Sequence, residues 1–135
     1  MNSNIFVIDD YSINLKIAEF VIKDHGYFDV LTTYSEAQKA LEYIVCNRKN
    51  EALLPDVILL DLNMPVMDGW QFLDRYKEII SSLVKSIDIY ILSSSIDVRE
   101  IQRSKQYTYV KGFLSKPLRK EMLEDIMTTG LATAS

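Results

Sequence analysis

The stretch DVILLDLNMPVMDGW, residues 56–70, decides how the chain folds. Val57 to Leu60 form an unbroken apolar run bounded by Asp56 and Asp61, followed by Met64-Pro65 and Met67-Asp68-Gly69. A short continuous run of this kind, rather than an alternating one, marks a strand covered on both faces, as in a parallel sheet. A second such run, NIFVIDD at 4–10, closes on the acidic pair Asp9-Asp10. Weaker strands read at 28–32 (FDVLT), 88–93 (DIYILS) and 109–115 (YVKGFLS). The last is the most mixed, as an edge strand would be.

Between the strands the apolar period becomes helical. Ile13, Ile17, Phe20 and Val21 share one face, and Ala37, Ala40, Leu41, Ile44 and Val45 share another. The second set follows Ser35-x-x-Gln38, which has the spacing of a capping box. Phe72, Leu73, Tyr76, Ile79, Ile80 and Leu83 repeat the pattern after Gly69, and Asp97-x-x-Glu100 opens a more polar helix carrying Val98 and Ile101. Leu118, Met122, Ile126 and Met127 complete a fifth helix. Five strand–helix units predict an α/β fold, a doubly wound five-stranded parallel sheet with helices on both faces. Residues 1–127 are expected to form one domain, and 128–135, TTGLATAS, which carries no strong signal, a frayed tail.

The chain has 135 residues, enough for one core, with 48% apolar and 25% charged residues. Its formal charge of −4 and scattered basic residues argue against direct nucleic-acid binding. One cysteine, Cys46, and one histidine, His25, exclude a disulfide and a zinc site. No apolar run reaches membrane-spanning length and the N-terminus has no basic region before its apolar stretch, so a cytoplasmic location is expected.

In a doubly wound sheet the ligand site lies beyond the carboxyl ends of the strands. Those ends carry Asp9 and Asp10, Asp61, Ser93, and Ser115 with Lys116. Each alone has a bland reading: an aspartate after a strand is usually a turn former or helix cap, and a lysine before proline a solvated loop residue. Together they place three carboxylates, a hydroxyl and an ammonium on one rim. Carboxylates within about 4–6 Å repel by a few kcal/mol at an effective dielectric near 20, so the cluster calls for a cation. Mg²⁺ suits it best, taking oxygen ligands and sharing its shell with phosphate. A carboxylate beside a metal and a lysine can attack phosphorus, giving an aspartyl phosphate. Asp61 is the best nucleophile, closing a central strand between the acidic pair and the lysine.

With Asp9-Asp10, Asp61, Ser93 and Lys116-Pro117 in this order, the chain resembles the receiver domain of two-component response regulators, in particular the stand-alone, CheY-like kind. LLDLNMPVMDGWQFL carries the resemblance most specifically. It implies the flavodoxin-like (βα)5 architecture with strand order 2-1-3-4-5. It further implies that Asp61 accepts a phosphoryl group from a histidine kinase or phosphotransfer protein. Asp10, Asp61 and the backbone carbonyl of Asn63 would bind Mg²⁺, for which Mn²⁺ can substitute, with Asp9 acting largely through water. Ser93 corresponds to the switch hydroxyl, Lys116 to the phosphoryl-binding lysine before a cis proline, and Phe113 to the switch aromatic. Pro65 and Gly69 would shape the turn, while Asn63 and Ser95 fall at positions that tune dephosphorylation.

One departure is Tyr107-Thr108-Tyr109, where the family commonly has small residues. These tyrosines are read either as partner anchors or as a cover for the sheet edge. Eighteen residues follow Pro117 (118–135), which leaves no room here for a DNA-binding output domain. Output is therefore expected through phosphorylation-dependent protein binding by the face of helix 4, strand 5 and helix 5, with the protein a monomer or a phosphorylation-dependent dimer, or through onward transfer in a phosphorelay. A small Mg²⁺-dependent phosphatase is disfavoured because Asn63 stands where a second acid is needed. A flavin or nucleotide carrier is disfavoured because DDYSIN (9–14) would repel a phosphate.

Overall fold

The computed structural model describes residues 3–95 and 97–134, with side chains through residue 128. In chain order the elements are β1 (Asn4–Ile8), α1 (Ser12–His25), β2 (Val30–Tyr34), α2 (Ala37–Cys46), β3 (Val57–Leu60), α3 (Gly69–Ile79), β4 (Asp88–Ser93), α4 (Val98–Ser104), β5 (Val110–Ser115) and α5 (Lys120–Ala134). A 3₁₀ turn, Ile80–Ser82, extends α3. All five strands pair in parallel in the order β2-β1-β3-β4-β5. The sheet order reverses between β1 and β3, and the ends of these two strands therefore flank the crevice where such sheets bind ligands.

The unbroken apolar runs are explained by two cores, one on each face. Ile8, Ile58, Leu60 and Ile91 pack with Ala40 and Ile44 of α2 and Phe72, Leu73 and Tyr76 of α3. Ile5, Val7, Val57, Leu59 and Leu92 pack with Ala18 and Ile22 of α1 and Met122, Leu123 and Ile126 of α5. Alternate residues of one strand thus serve opposite layers, which is why Ile5–Ile8 and Val57–Leu60 are apolar at every position. Each fully buried aliphatic side chain contributes about 1.5–3 kcal/mol. The edge strands β2 and β5 are only partly buried, as their mixed composition suggests.

α1 turns a different face to the core from the one its sequence suggested. Ala18 and Ile22 are buried, with Leu15 and Val21 packed beside them, whereas Ile13 and Phe20 are 52% and 72% exposed. The helix carries two apolar stripes, and the small Ala18 lets it approach the sheet closely on one of them. Gly26 ends α1 in the left-handed region at φ 80°, its N–H bonding the Ile22 carbonyl, as a helix-terminating glycine does.

Three further local expectations are corrected. Ser35-x-x-Gln38 forms no capping box: α2 has Glu36 at its N-cap and no side-chain cap bond. The box occurs instead at α3, where Asp68 Oδ1 accepts from the Gln71 N–H at 2.8 Å and Gln71 Oε1 accepts from the Asp68 N–H at 2.9 Å. At α4, Asp97 does cap, accepting from the Arg99 N–H at 2.9 Å. β2 lies two residues later than read, and α5 runs to Ala134 over residues expected to form a tail. No helix among the described residues is long and apolar enough to cross a membrane.

Candidate functional site

The three acidic residues of DVILLDLNMPVMDGW separate into different tasks. Asp56, at the far end of β3, accepts the Asn4 N–H at 2.8 Å and pairs with Lys85 at 3.0 Å. Asp68 caps α3. Asp61 alone lies at the carboxyl edge, held by its N–H to the Ile8 carbonyl at 2.9 Å, and is 4% exposed. Next to it Asp9, 2% exposed, donates its N–H to the Tyr34 carbonyl at 3.0 Å and accepts the Tyr11 N–H on Oδ1 at 2.9 Å. Asp10 is exposed. The carboxylates of Asp9, Asp10 and Asp61 each offer an oxygen within 4.8 Å of the others.

Lys116 reaches this cluster from the end of β5. Its Nζ lies 2.7 Å from Asp9 Oδ2 and 3.2 Å from Asp61 Oδ1, and its side chain is 10% exposed. The Lys116 N–H bonds the Ser93 carbonyl at 2.7 Å, which ties the ends of β4 and β5, and the Lys116–Pro117 peptide is cis. Burial and the neighbouring Asp9 charge raise the Asp61 pKa, and Lys116 together with a long 3.5 Å bond from the Asn63 N–H only partly opposes them. Burial pulls the Lys116 pKa down, but its hydrogen bond to Asp9 and the charges of Asp61 and Asp9 outweigh burial and leave it raised. Asp61 thus remains short of positive charge even with the ammonium in place. An all-oxygen donor set with a buried, under-compensated carboxylate fits a hard divalent cation.

The remaining residues frame this centre. Ser93 is fully buried, and its hydroxyl donates to the Ser95 carbonyl at 2.9 Å while accepting the Ser95 N–H at 3.4 Å. It is therefore turned into its own loop. Phe113 pairs with Ile91 in register and packs, half-buried, on the core shared with α2 and α3. Gly69 is required for a close approach: a Cβ there would lie 2.6 Å from the Asp61 carbonyl oxygen and 2.8 Å from Leu62 Cα. Between them Pro65, Val66 and Met67 form a γ-turn, with the Met67 N–H on the Pro65 carbonyl at 2.8 Å and Val66 at φ 67° and 91% exposed.

Asp9, Asp10, Asp61 and Lys116 are thus brought together, with Ser93 and Asn63 on their border. Tyr109 is not a surface anchor: it is 8% exposed and its hydroxyl bonds the Leu73 carbonyl. Tyr107 is half-buried, its hydroxyl 2.7 Å from Asp74 Oδ1. Sequence reasoning missed the partners of these tyrosines. Their only sequence trace was the placement of Trp70 and Asp74 one helical turn apart.

Comparison with known proteins agrees with this arrangement. The chain is 29% identical over 119 residues to the transcriptional regulatory protein CitT of Halalkalibacterium halodurans, covering 88% of this chain and 47% of that protein. It spans about half that relative's length. A two component response regulator from Cytophaga hutchinsonii superposes with a TM-score of 0.88 at 22% identity, over 97% of this chain and 98% of that one, which speaks to the fold. The Vibrio cholerae chemotaxis protein CheY4 superposes with a TM-score of 0.72 at 26% identity, over 96% and 98% of the two chains. The sequence pattern of the response regulator receiver domain matches residues 5–128, nearly the whole chain, which therefore belongs to the response regulator receiver domain family.

Proposed function

We propose that this protein is a phosphorylation-controlled signalling module in which Asp61 takes a phosphoryl group from a phosphohistidine of a histidine kinase or phosphotransfer protein. The observation that carries this reading is the Asp61 carboxylate itself, buried at a strand end with an ammonium at 3.2 Å and two further carboxylates within 4.8 Å. An Asp61 oxygen attacks phosphorus, the P–N bond to the donor imidazole breaks, and the imidazole leaves with its electron pair and takes up a proton. An aspartyl phosphate results, and attack by water on phosphorus later releases inorganic phosphate and restores the carboxylate.

Asp10, Asp61 and the Asn63 carbonyl would hold Mg²⁺, with Asp9 supporting it. When bound, the ion supplies positive charge that offsets repulsion between carboxylates and incoming phosphate. Lys116 holds one phosphoryl oxygen. Ser93 leaves the Ser95 carbonyl to bond another, and Phe113 packs into the space it vacates. The altered surface of α4, β5 and α5 then binds a downstream protein.

Incubation with Mg²⁺ and acetyl phosphate tests the reading by intact mass. One added phosphoryl group is expected on the wild type and none on Asp61→Ala. An unlabelled wild type, or equal labelling of the variant, overturns it.

A further inference from the structure

α4 has little hydrophobic hold on the molecule. Within Val98–Ser104, Ser104 is buried, Ile101 is half-buried and Val98 is 65% exposed. Contacts with α3 supply what burial does not. The Arg103 guanidinium carbon sits 4.2 Å from the centroid of the Trp70 ring. Tyr107, just past α4, stacks on the same ring at 6.0 Å and 29°, and bonds Asp74 one turn further along α3.

We propose that Trp70, Asp74, Arg103 and Tyr107 form a latch that holds α4 in its resting position and opposes the rearrangement following phosphorylation. The proposal rests on the phosphoacceptor reading above and adds a restraint located outside the site. Trp70 follows Gly69, whose α-carbon packs against the Asp61 carbonyl, so the start of α3 is fixed to the phosphoacceptor strand. Tyr109 is likewise fixed, buried and bonded to the Leu73 carbonyl. α4 is the element left free to move between these two anchors.

Movement starts at Ser93, whose hydroxyl now bonds the Ser95 carbonyl just after β4. If Ser93 turns to a phosphoryl oxygen, that carbonyl is released on the path from β4 to α4. Arg103 must then slide off Trp70, and Tyr107 must part from Asp74. Contacts made only in the resting state weight the equilibrium toward it, and removing one raises the active fraction by the same factor. A cation–π contact or a hydrogen bond at a partly exposed site corresponds to about a three- to fivefold change.

The chain contains one tryptophan, so Trp70 fluorescence reports the latch directly. The full chain is treated with Mg²⁺ and phosphoramidate as wild type, Arg103→Met and Tyr107→Phe, the last keeping the stacked ring. Labelling is followed by intact mass, and α4 amide exchange is measured before labelling. Each variant is expected to label about three- to fivefold faster and to exchange α4 amides faster, and wild-type Trp70 emission to change in step with the label. Labelling at the wild-type rate by both variants overturns the latch as a brake. Unchanged α4 exchange in both overturns it as a restraint. A wild type that takes no label defeats the phosphoacceptor reading instead, while amide exchange still decides whether α4 is held.

Discussion

Lys116 occupies charge that a metal would otherwise use, and this competition can be measured. Its ammonium bonds Asp9 at 2.7 Å and Asp61 at 3.2 Å, with all three side chains at or below 10% exposure. Lys116→Met keeps the stem and removes the charge, leaving two buried carboxylates without a counter-charge. Breaking a buried pair in this way costs about 3–5 kcal/mol, so the metal-free variant should unfold at a distinctly lower urea concentration. Metal affinity should move the other way. A hydrogen bond to a charged group contributes about 1.5–3 kcal/mol net, and a divalent ion drawing on Asp9 and Asp61 weakens at least one such bond in the wild type. The variant has none to weaken, so its Mg²⁺ dissociation constant should fall at least about tenfold, equivalent to about 1.4 kcal/mol. Titration calorimetry measures the affinity, and urea unfolding with and without Mg²⁺ should show much of the lost stability returning with the ion. An unchanged or weaker affinity in Lys116→Met would show that the ammonium does not compete for these carboxylates.

Three other outcomes follow from packing and charge. Gly69→Ala should cost about 1–3 kcal/mol in urea unfolding and slow phosphoryl labelling, because the new methyl meets backbone at 2.6 and 2.8 Å; wild-type stability and labelling would contradict the close approach. Ile22→Ala should cost about 2–5 kcal/mol while Phe20→Ser stays within about 0.5 kcal/mol, and the reverse order would show that α1 faces the other way. Asp61→Asn should raise the melting temperature of the metal-free protein by a few degrees at neutral pH. The sign follows from linkage: the folded pKa of Asp61 is raised, so the folded state binds its proton more tightly, and the penalty on folding grows as pH rises above the unfolded pKa and is complete above the folded one. The advantage of the variant should therefore shrink as pH falls through the folded pKa toward the unfolded one, and a pH-independent gap would remove burial of the charge as its cause.

The sheet was legible in the sequence because its signal is redundant. A residue on β1 or β3 has a covered face whichever way it points, so an uninterrupted apolar run allows only one reading. The site was legible for a related reason: a strand end is fixed by its apolar run, so the sequence alone sets Asp9, Asp61 and Ser93 on one rim. α1 was not legible in the same sense. Ile13, Ile17 and Phe20 keep helical spacing as well as Leu15, Ala18 and Ile22 do, and periodicity ranks stripes by apolar bulk. Packing selected the stripe with the smaller residue: Ala18, 1% exposed, is buried with Ile22 against the sheet.

The same distinction explains why the sequence left the tyrosines between two readings. Burial of Tyr109 depends on the Leu73 carbonyl, and the position of Tyr107 depends on Trp70 and Asp74, partners more than thirty residues earlier in the chain. Local pattern can say that a bulky aromatic replaces a small residue, but not what it meets across a helix pair. What it meets here is α3, the helix that starts beside the Asp61 turn. The departure at 107–109 therefore joins the surface proposed for output to α3 by side chains as well as through the sheet. On the proposed reading, phosphorylation at Asp61 would couple to movement of α4 by two routes, through Ser93 and Phe113 on one side and through Trp70 on the other. A variant silenced at Phe113 would still report the label through Trp70 only if the second route carries coupling of its own.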